Sequence, residues 1–178
     1  MQWIGLGATP EIVALWKMNR ARNLDQWLHA IADIDAVGLN LAYADVHGNI
    51  AMACTGRYPV RLPGAGRVPM DGASGDHDWT RRIPAGEMPL SVNPPEGFVA
   101  SANGRPTPVG YPHYLGWMWD PSYRKRRIDQ MLSDADGFTV ETMQAVQYDH
   151  KDLAAERFLP RWLADLADAA IDDQIGRA

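Results

Sequence analysis

The sequence is poor in the features that would place it in several common protein classes. Its one cysteine excludes an internal disulfide and a zinc site built from several cysteines. No stretch approaches the ~20 apolar residues that a membrane-spanning helix needs, so no membrane span is expected. The opening residues, MQWIGLGATPEIV, have no basic region followed by an apolar one, and a secretory signal is not expected on this chain. Localisation stays open.

The charge balance restricts the partners. With 17 Lys and Arg against 22 Asp and Glu, the formal net charge is −5. This argues against nucleic acid or an anionic membrane as the partner, because both favour a basic surface. Hydrophobic residues make up 46% of the chain, which is the range of folded globular proteins. The length of 178 residues suits a single domain, and no internal boundary is expected across residues 1–178.

Helical periodicity marks both ends of the chain. Thr9 and Asn23 are expected to cap two helices within residues 1–34, because such side chains accept a hydrogen bond from a free N–H at a helix start. Thr139 is expected to cap a later helix in the same way. Pro160 is expected to break or restart the last helical region, since proline has no N–H and its ring clashes with the preceding turn.

The middle of the chain has the period of two that is typical of strands. Apolar residues alternate through residues 39–43 and 50–54, on either side of a turn that contains Gly and Asn, which predicts a β-hairpin. A further strand is expected over residues 98–102, after a long stretch rich in Pro and Gly. Helical ends with strands between them indicate an α+β fold.

Short motifs follow one another in order from this hairpin into the later helix. They are YADVHGNI at residues 43–50, TGRYP at 55–59, NPPEGF at 93–98, ANGR at 102–105 and YRKRRI at 123–128. Each is weak alone, but the ordered set with its spacing resembles the penicillin acylase family of N-terminal-nucleophile amidohydrolases. The similarity extends from Trp3 to about Leu159.

The resemblance implies a four-layer αββα sandwich with antiparallel sheets. In this family a precursor cleaves itself into a small and a large chain. The serine that begins the large chain attacks the amide through its hydroxyl, with its own α-amino group as base. This chain resembles an inner segment of the large chain and begins with Met1 and Gln2 rather than serine. The resemblance therefore implies cleavage of acyl-amide bonds in which the nucleophile comes from the remaining chain or segments.

Two functions remain open for the chain itself. As a segment of an acylase, it would be inactive alone toward its acyl-amide substrate. It would also self-associate through uncovered strand edges and apolar faces. The alternative is a non-catalytic truncated remnant that uses the retained scaffold as a binding or interaction module. Co-purification with other acylase chains would distinguish the two.

Asn103 is the first candidate for a catalytic residue. By its type and place, between the predicted strand and Gly104, it is an ordinary turn asparagine, because asparagine tolerates left-handed backbone. The resemblance instead implies that its side-chain amide donates to the oxyanion hole. That task suits a directional, uncharged donor that is always protonated. The family often has a second asparagine where this chain has Gly104.

Arg124 is the second catalytic candidate, and Leu39 and Asn40 are the candidates for substrate binding. Arg124 begins a run of four basic residues, which is ordinarily a solvated helix face. The resemblance implies that it supports the active site near the asparagine, which suits the fixed charge and five donors of arginine. At a strand start, Leu39 and Asn40 indicate a core leucine and a strand-end asparagine. The resemblance places them near the acyl pocket.

No metal site or other cofactor is expected. The acidic loop that holds Asp71, Asp76 and Asp78 lacks the spacing of an EF-hand. Some family members bind calcium, and by resemblance Gly66 falls near a position that offers a backbone carbonyl. Leu115 falls near the position of a carboxylate ligand and cannot coordinate a cation. The calcium site is therefore expected to be incomplete.

Four other residues have expected positions without an expected role in chemistry. Cys54 is expected to be a small buried residue in a strand. His113 is expected at the surface, and Trp117 and Trp119 are expected to be core anchors.

Overall fold

The computed structural model describes residues 2–36, 38–62, 64–135 and 137–167. The chain divides into two compact units, Met1–Asp120 and Pro121–Ala178. A single segment without an internal boundary stays a prediction. Within the described ranges the helices are α1 (Glu11–Arg20), α2 (Leu24–Ile31), α3 (Tyr123–Ser133), α4 (Val140–Gln147) and α5 (Leu153–Ala167), and the strands are β1 (Asn40–Ala44), β2 (Ile50–Cys54) and β3 (Leu90–Val92).

The first unit opens with two helices that start in different ways. Asn23 caps α2, because its Oδ1 accepts a hydrogen bond from the N–H of Gln26 at 2.9 Å. The predicted cap is confirmed. Thr9 does not cap α1, and that prediction is wrong: the N-cap position is Pro10, without a side-chain cap bond. The Thr9 side chain instead hydrogen-bonds Glu11, and this bond is the main reason why the pKa of Glu11 falls to about 2.

The hydrophobic core lies between these two helices and one face of a small antiparallel sheet. β1 and β2 form the predicted hairpin, in a register that pairs Leu41 with Ala53 and Tyr43 with Ala51. Because side chains alternate across a strand, these four residues share a face. The Trp27 ring lies 5.0 Å from the Tyr43 ring on that face. The core residues from the helices and the turn after them are Ala14, Trp27, Ile31 and Ile34.

Asp45 organises the turn between β1 and β2. Its carboxylate accepts hydrogen bonds from the backbone N–H groups of His47 at 2.9 Å and Asn49 at 3.0 Å, and from the Tyr43 hydroxyl at 2.9 Å. The side-chain amide of Asn49 donates to it as well, at 2.9 Å. These donors, the Asn49 side chain foremost, lower the pKa of Asp45 to about 2. The carboxylate is therefore ionised throughout the neutral range.

β3 pairs with β2, which makes β2 the central strand of the three in the described part of the chain. The sequence predicts the third strand at residues 98–102, and that prediction is wrong, because these residues are irregular. β3 has only three residues, of which Ser91 is polar, so an alternation of apolar and polar residues with a period of two cannot be recognised in it. Asn93 marks its end: at φ 48° it accepts a hydrogen bond from the Ile50 N–H at 2.9 Å.

The second unit is helical in its described part. Thr139 caps α4 through a reciprocal pair of bonds with Thr142, which confirms the predicted cap. Arg127 of α3 reaches the segment after α4 and donates twice to Asp149, from Nε and from Nη2, each at 2.8 Å. Two parallel bonds between a guanidinium and a carboxylate fix direction as well as distance. This pair therefore holds the end of α4 against α3.

α5 continues through Pro160, so the predicted break there is wrong. A proline removes one backbone hydrogen bond within a helix. Aromatic packing offsets this loss, because the Phe158 ring stacks on Trp162 at 5.8 Å and meets the Tyr123 ring of α3 at 6.3 Å. Neither α5 nor any other described helix has the length and apolar character to cross a membrane.

Candidate functional site

Asn103 begins a long irregular loop of the first unit. It follows the buried Ala102, its own side chain is exposed, and its φ is 56°. This left-handed conformation is costly for most residues but accessible to asparagine. The backbone oxygen of Asn103 accepts a hydrogen bond from the Asp120 N–H at 3.0 Å, which closes residues 103–120 into a loop. The backbone that carries the side-chain amide is therefore held in place at the base of the loop.

The two predicted substrate-binding residues lie next to this loop base. Asn40 is the first residue of β1, and its Nδ2 donates to Oγ of Ser101 at 2.8 Å. Ser101 stands two residues before Asn103, so this bond ties the sheet to the chain that leads into the loop. Leu39 precedes Asn40 and is 40% exposed; its backbone oxygen accepts from the Thr55 N–H at 2.8 Å. Leu39, Asn40 and Asn103 therefore share one region of the first unit.

Arg124 lies in the first turn of α3, in the second unit, whereas Asn103 belongs to the first. The basic run that it begins is not a uniformly solvated face. Lys125 pairs with Asp129 at 2.6 Å, and the Arg126 guanidinium lies 4.8 Å from the centre of the Tyr123 ring. A support of Asn103 by Arg124 stays a prediction.

The loop has anchors that the sequence does not indicate. The Tyr111 hydroxyl donates to the backbone oxygen of Glu87 at 2.8 Å, and Nε2 of His113 lies 2.6 Å from Oε2 of the same glutamate. The His113 side chain is 18% exposed and half-buried, so it lies between the predicted surface position and full burial. Farther along, Arg61 donates to the backbone oxygen of the buried Leu115 at 3.3 Å. All these contacts join distant parts of the sequence, and no local motif signals them.

Two tryptophans belong to the loop 103–120, and a cysteine ends the strand β2. Trp119 is half-buried and donates from Nε1 to the backbone oxygen of Gly116 at 3.3 Å. Trp117 is 48% exposed with the Arg67 guanidinium 5.2 Å from its ring, so its prediction as a core anchor is wrong. Cys54 is buried as predicted. Burial raises the pKa of its thiol, which keeps it protonated and unreactive at neutral pH.

A separate cavity of about 380 Å³ lies between α2, the end of β2 and the entry to β3. Its walls are mainly apolar, with the ion pair of Asp35 and Arg57, at 3.2 Å, on its lining. None of its lining residues belongs to the loop 103–120. Apolar members of the lining are Leu28, Ile31, Ala53, Ile83, Met88 and Leu90.

The described residues contain no group of three or more His, Cys, Asp or Glu side chains placed to hold a metal ion. Gly66 is exposed at φ 84°, and Leu115 is buried. An incomplete calcium site stays a prediction.

Comparison with known proteins identifies the family. The family model described as penicillin amidase matches residues 1–177, which is nearly the whole chain. The chain belongs to the penicillin amidase family. This confirms the resemblance drawn from the motifs, and it places the chain among amidohydrolases that include penicillin and acyl-homoserine lactone acylases.

Curated relatives of this penicillin amidase family member are much longer than the chain. The acyl-homoserine lactone acylase QuiP of Pseudomonas fluorescens is 32% identical over 144 residues, which cover 81% of this chain and 18% of that protein. Penicillin acylase 2 proenzyme of Pseudomonas sp. is 33% identical over 135 residues, and penicillin G acylase of Escherichia coli is 33% identical over 146 residues. The chain covers 17% of each of these two.

A solved relative confirms the α+β architecture. Thermostable penicillin G acylase from Alcaligenes faecalis matches 92% of this chain with a TM-score of 0.67 and 24% identity. The match covers 30% of that solved chain. The helices and the small antiparallel sheet described above therefore correspond to one part of a larger acylase fold.

Proposed function

We propose that this chain forms part of a penicillin acylase-type amidohydrolase, which transfers the acyl group of an amide to a serine and then to water. Asn103 supplies an amide donor to the oxyanion hole, Arg124 supports it, and the serine comes from outside these 178 residues. The surrounding architecture is the four-layer αββα sandwich. The names of the relatives, acylases of penicillins and of acyl-homoserine lactones, support a substrate in which an acyl group is joined to a polar amine.

The observation that carries this proposal is the way the fold holds Asn103. Its backbone lies in the left-handed region and is bonded to Asp120 at the loop base, while its side chain is exposed. An oxyanion donor is effective when it is held in place before the charge develops, since no reorganisation is then needed during the reaction. A fixed backbone under an exposed amide meets this requirement.

The neighbouring residues support the same reading. Leu39 and Asn40 lie at the start of β1, and Asn40 is bonded to Ser101 just before the loop. In the proposed site, Leu39 borders the acyl group with its exposed aliphatic side chain. Asn40 borders it as well, and its amide holds the chain that leads to Asn103. In the proposed site, the acyl group thus borders the strand that is bonded to the chain just before Asn103.

Native mass spectrometry of the protein purified from its source tests the assembly. We expect further acylase chains or segments to co-purify with this chain, and the recovered assembly to hydrolyse phenylacetyl or long-chain acyl amides. Recovery of this chain without other acylase chains, together with no acyl release, would contradict the proposal and favour a non-catalytic binding module.

A further inference from the structure

We infer that Asn103 is a site of spontaneous self-modification, in which the backbone nitrogen of Gly104 displaces the side-chain amide. Asn103 and Gly104 form the single Asn–Gly pair of the sequence. Glycine leaves its nitrogen open to close approach because it has no Cβ. The space beside Gly104 is open as well: an added Cβ would meet only the backbone oxygen of Asp120, at 4.0 Å.

The reaction balances with water as its only co-reactant. The Gly104 nitrogen forms a bond to Cγ of Asn103 while the bond from Cγ to Nδ2 breaks. Nδ2 leaves as ammonia and takes the proton that the Gly104 N–H gives up, which leaves a five-membered imide. Water then opens the imide at Cγ to give aspartate, or at the main-chain carbonyl carbon to give isoaspartate. The net change is the conversion of an amide and water into a carboxylic acid and ammonia.

The other asparagines of the chain lack this combination of neighbour and setting. Asn93 precedes Pro94, whose nitrogen has no proton to give up. Asn49 precedes Ile50, whose N–H donates to the Asn93 side chain at 2.9 Å. Asn23 caps α2 with its side-chain oxygen. The remaining two, Asn19 and Asn40, lie within α1 and β1.

The local structure of Asn103 leaves its side chain within reach of water. It is exposed, and both Asn103 and Gly104 lie outside the helices and strands of the described chain. Imide closure therefore breaks no helix or strand ladder, and the backbone bond that it must loosen is the one from the Asp120 N–H to the Asn103 oxygen. Asn103 therefore combines a glycine neighbour, an exposed side chain and a place outside the helices and strands of the described chain.

The functional consequence rests on the proposed function, although the modification itself does not. A carboxylate with an ordinary pKa of ~3.9 is ionised at neutral pH and only accepts hydrogen bonds. At position 103 it would replace a donor to the oxyanion by a second negative charge. The modification would therefore switch off turnover as the protein ages.

Peptide mass mapping of the 178-residue chain after incubation at mildly alkaline pH tests the inference. We expect the peptide that holds Asn103 to gain the mass difference between a hydroxyl and an amino group, and to contain isoaspartate. The peptide that holds Asn93 should stay unchanged in the same digest. Gly104→Ala, which the open space tolerates, should slow the change several-fold. An Asn103 peptide that stays unmodified, or that changes as fast in Gly104→Ala, overturns the inference.

A second measurement separates this inference from the proposed function. In the assembled acylase, the loss of turnover should follow the modified fraction at Asn103. Modification without loss of turnover would leave the modification standing and contradict the oxyanion role. An unmodified Asn103 would contradict the inference and leave the oxyanion role untouched.

Discussion

Asn103 has a turn conformation that the sequence predicts and long-range backbone contacts that the sequence does not predict. Its residue type and its glycine neighbour are enough to predict a turn, and the left-handed φ of 56° agrees with that prediction. The bond from the Asp120 N–H and the link between Asn40 and Ser101 are not predictable in this way. They join residues far apart in the chain, and only the folded structure brings them together.

The Asn40–Ser101 bond should affect turnover through Asn103. Replacing Asn40 by alanine removes one hydrogen bond worth about 0.5–1.5 kcal/mol, so kcat should fall about 2- to 12-fold. Ser101→Ala should cost a similar factor. The double variant should be no worse than either single variant, as steady-state kinetics of the assembled acylase would show. Additive losses would mean that the two side chains act separately.

Asp45 should make the stability of the hairpin depend on acid. Its pKa of about 2 in the fold lies below the ordinary value of ~3.9, so its contribution is present above ~3.9 and is lost as the pH falls toward 2. Asp45→Asn should therefore be less stable than the wild type at pH ~7, and the difference should shrink between pH ~4 and ~2. Urea unfolding across this range measures it. Glu11 titrates in both the wild type and Asp45→Asn, so its contribution cancels in the difference between their stabilities. A stability difference that does not change with pH would contradict this explanation.

At the scale of elements, local signals predict two of the three expected caps, and contacts between distant residues decide the remaining features. The caps at Asn23 and Thr139 follow from residue types within four positions of each helix start, and both are confirmed. The strand β3 could not be predicted, because it is a strand only through its pairing with β2. Pro160 shows the opposite error: its residue type predicts a break in the helix, but aromatic packing keeps α5 continuous.

Pro160→Ala should stabilise α5. Alanine restores the missing backbone donor within the helix, and its propensity exceeds that of proline by about 3 kcal/mol, which is the upper limit of the gain. Chemical unfolding followed by the helical circular dichroism signal measures the change. Pro121→Ala is the matched control, because Pro121 lies outside α3 and its replacement should change stability little. A lower stability of Pro160→Ala would show that the proline shapes the helix instead.

At the scale of the whole chain, exposed apolar surface is extensive. Ile12 and Trp16 of α1 are 84% and 60% exposed, and Trp162 and Leu163 of α5 are 56% exposed each. Monomeric proteins rarely leave contiguous apolar faces open to water. Together with a match to only 30% of a solved acylase chain, this supports the proposal that other parts of an acylase cover these faces.

The 178-residue chain alone should therefore self-associate. Sedimentation velocity should show species larger than a monomer that increase with concentration. Replacing both Ile12 and Trp16 by lysine should reduce the association, because charge on the α1 face opposes its burial. A compact, reversible monomer of the unmodified chain would contradict this expectation.

The central claim is that the side-chain amide of Asn103 acts in catalysis, beyond the role of its backbone in the turn. Asn103→Gly separates the two, because glycine adopts the left-handed conformation freely but has no amide. The decisive measurement is kcat of Asn103→Gly in the assembled acylase, with Asn103→Ala beside it. Both variants should lose about 10²–10³ in kcat, the cost of one oxyanion donor, with substrate affinity nearly unchanged. A near-normal kcat in Asn103→Gly would show that asparagine serves only the turn and would contradict the account.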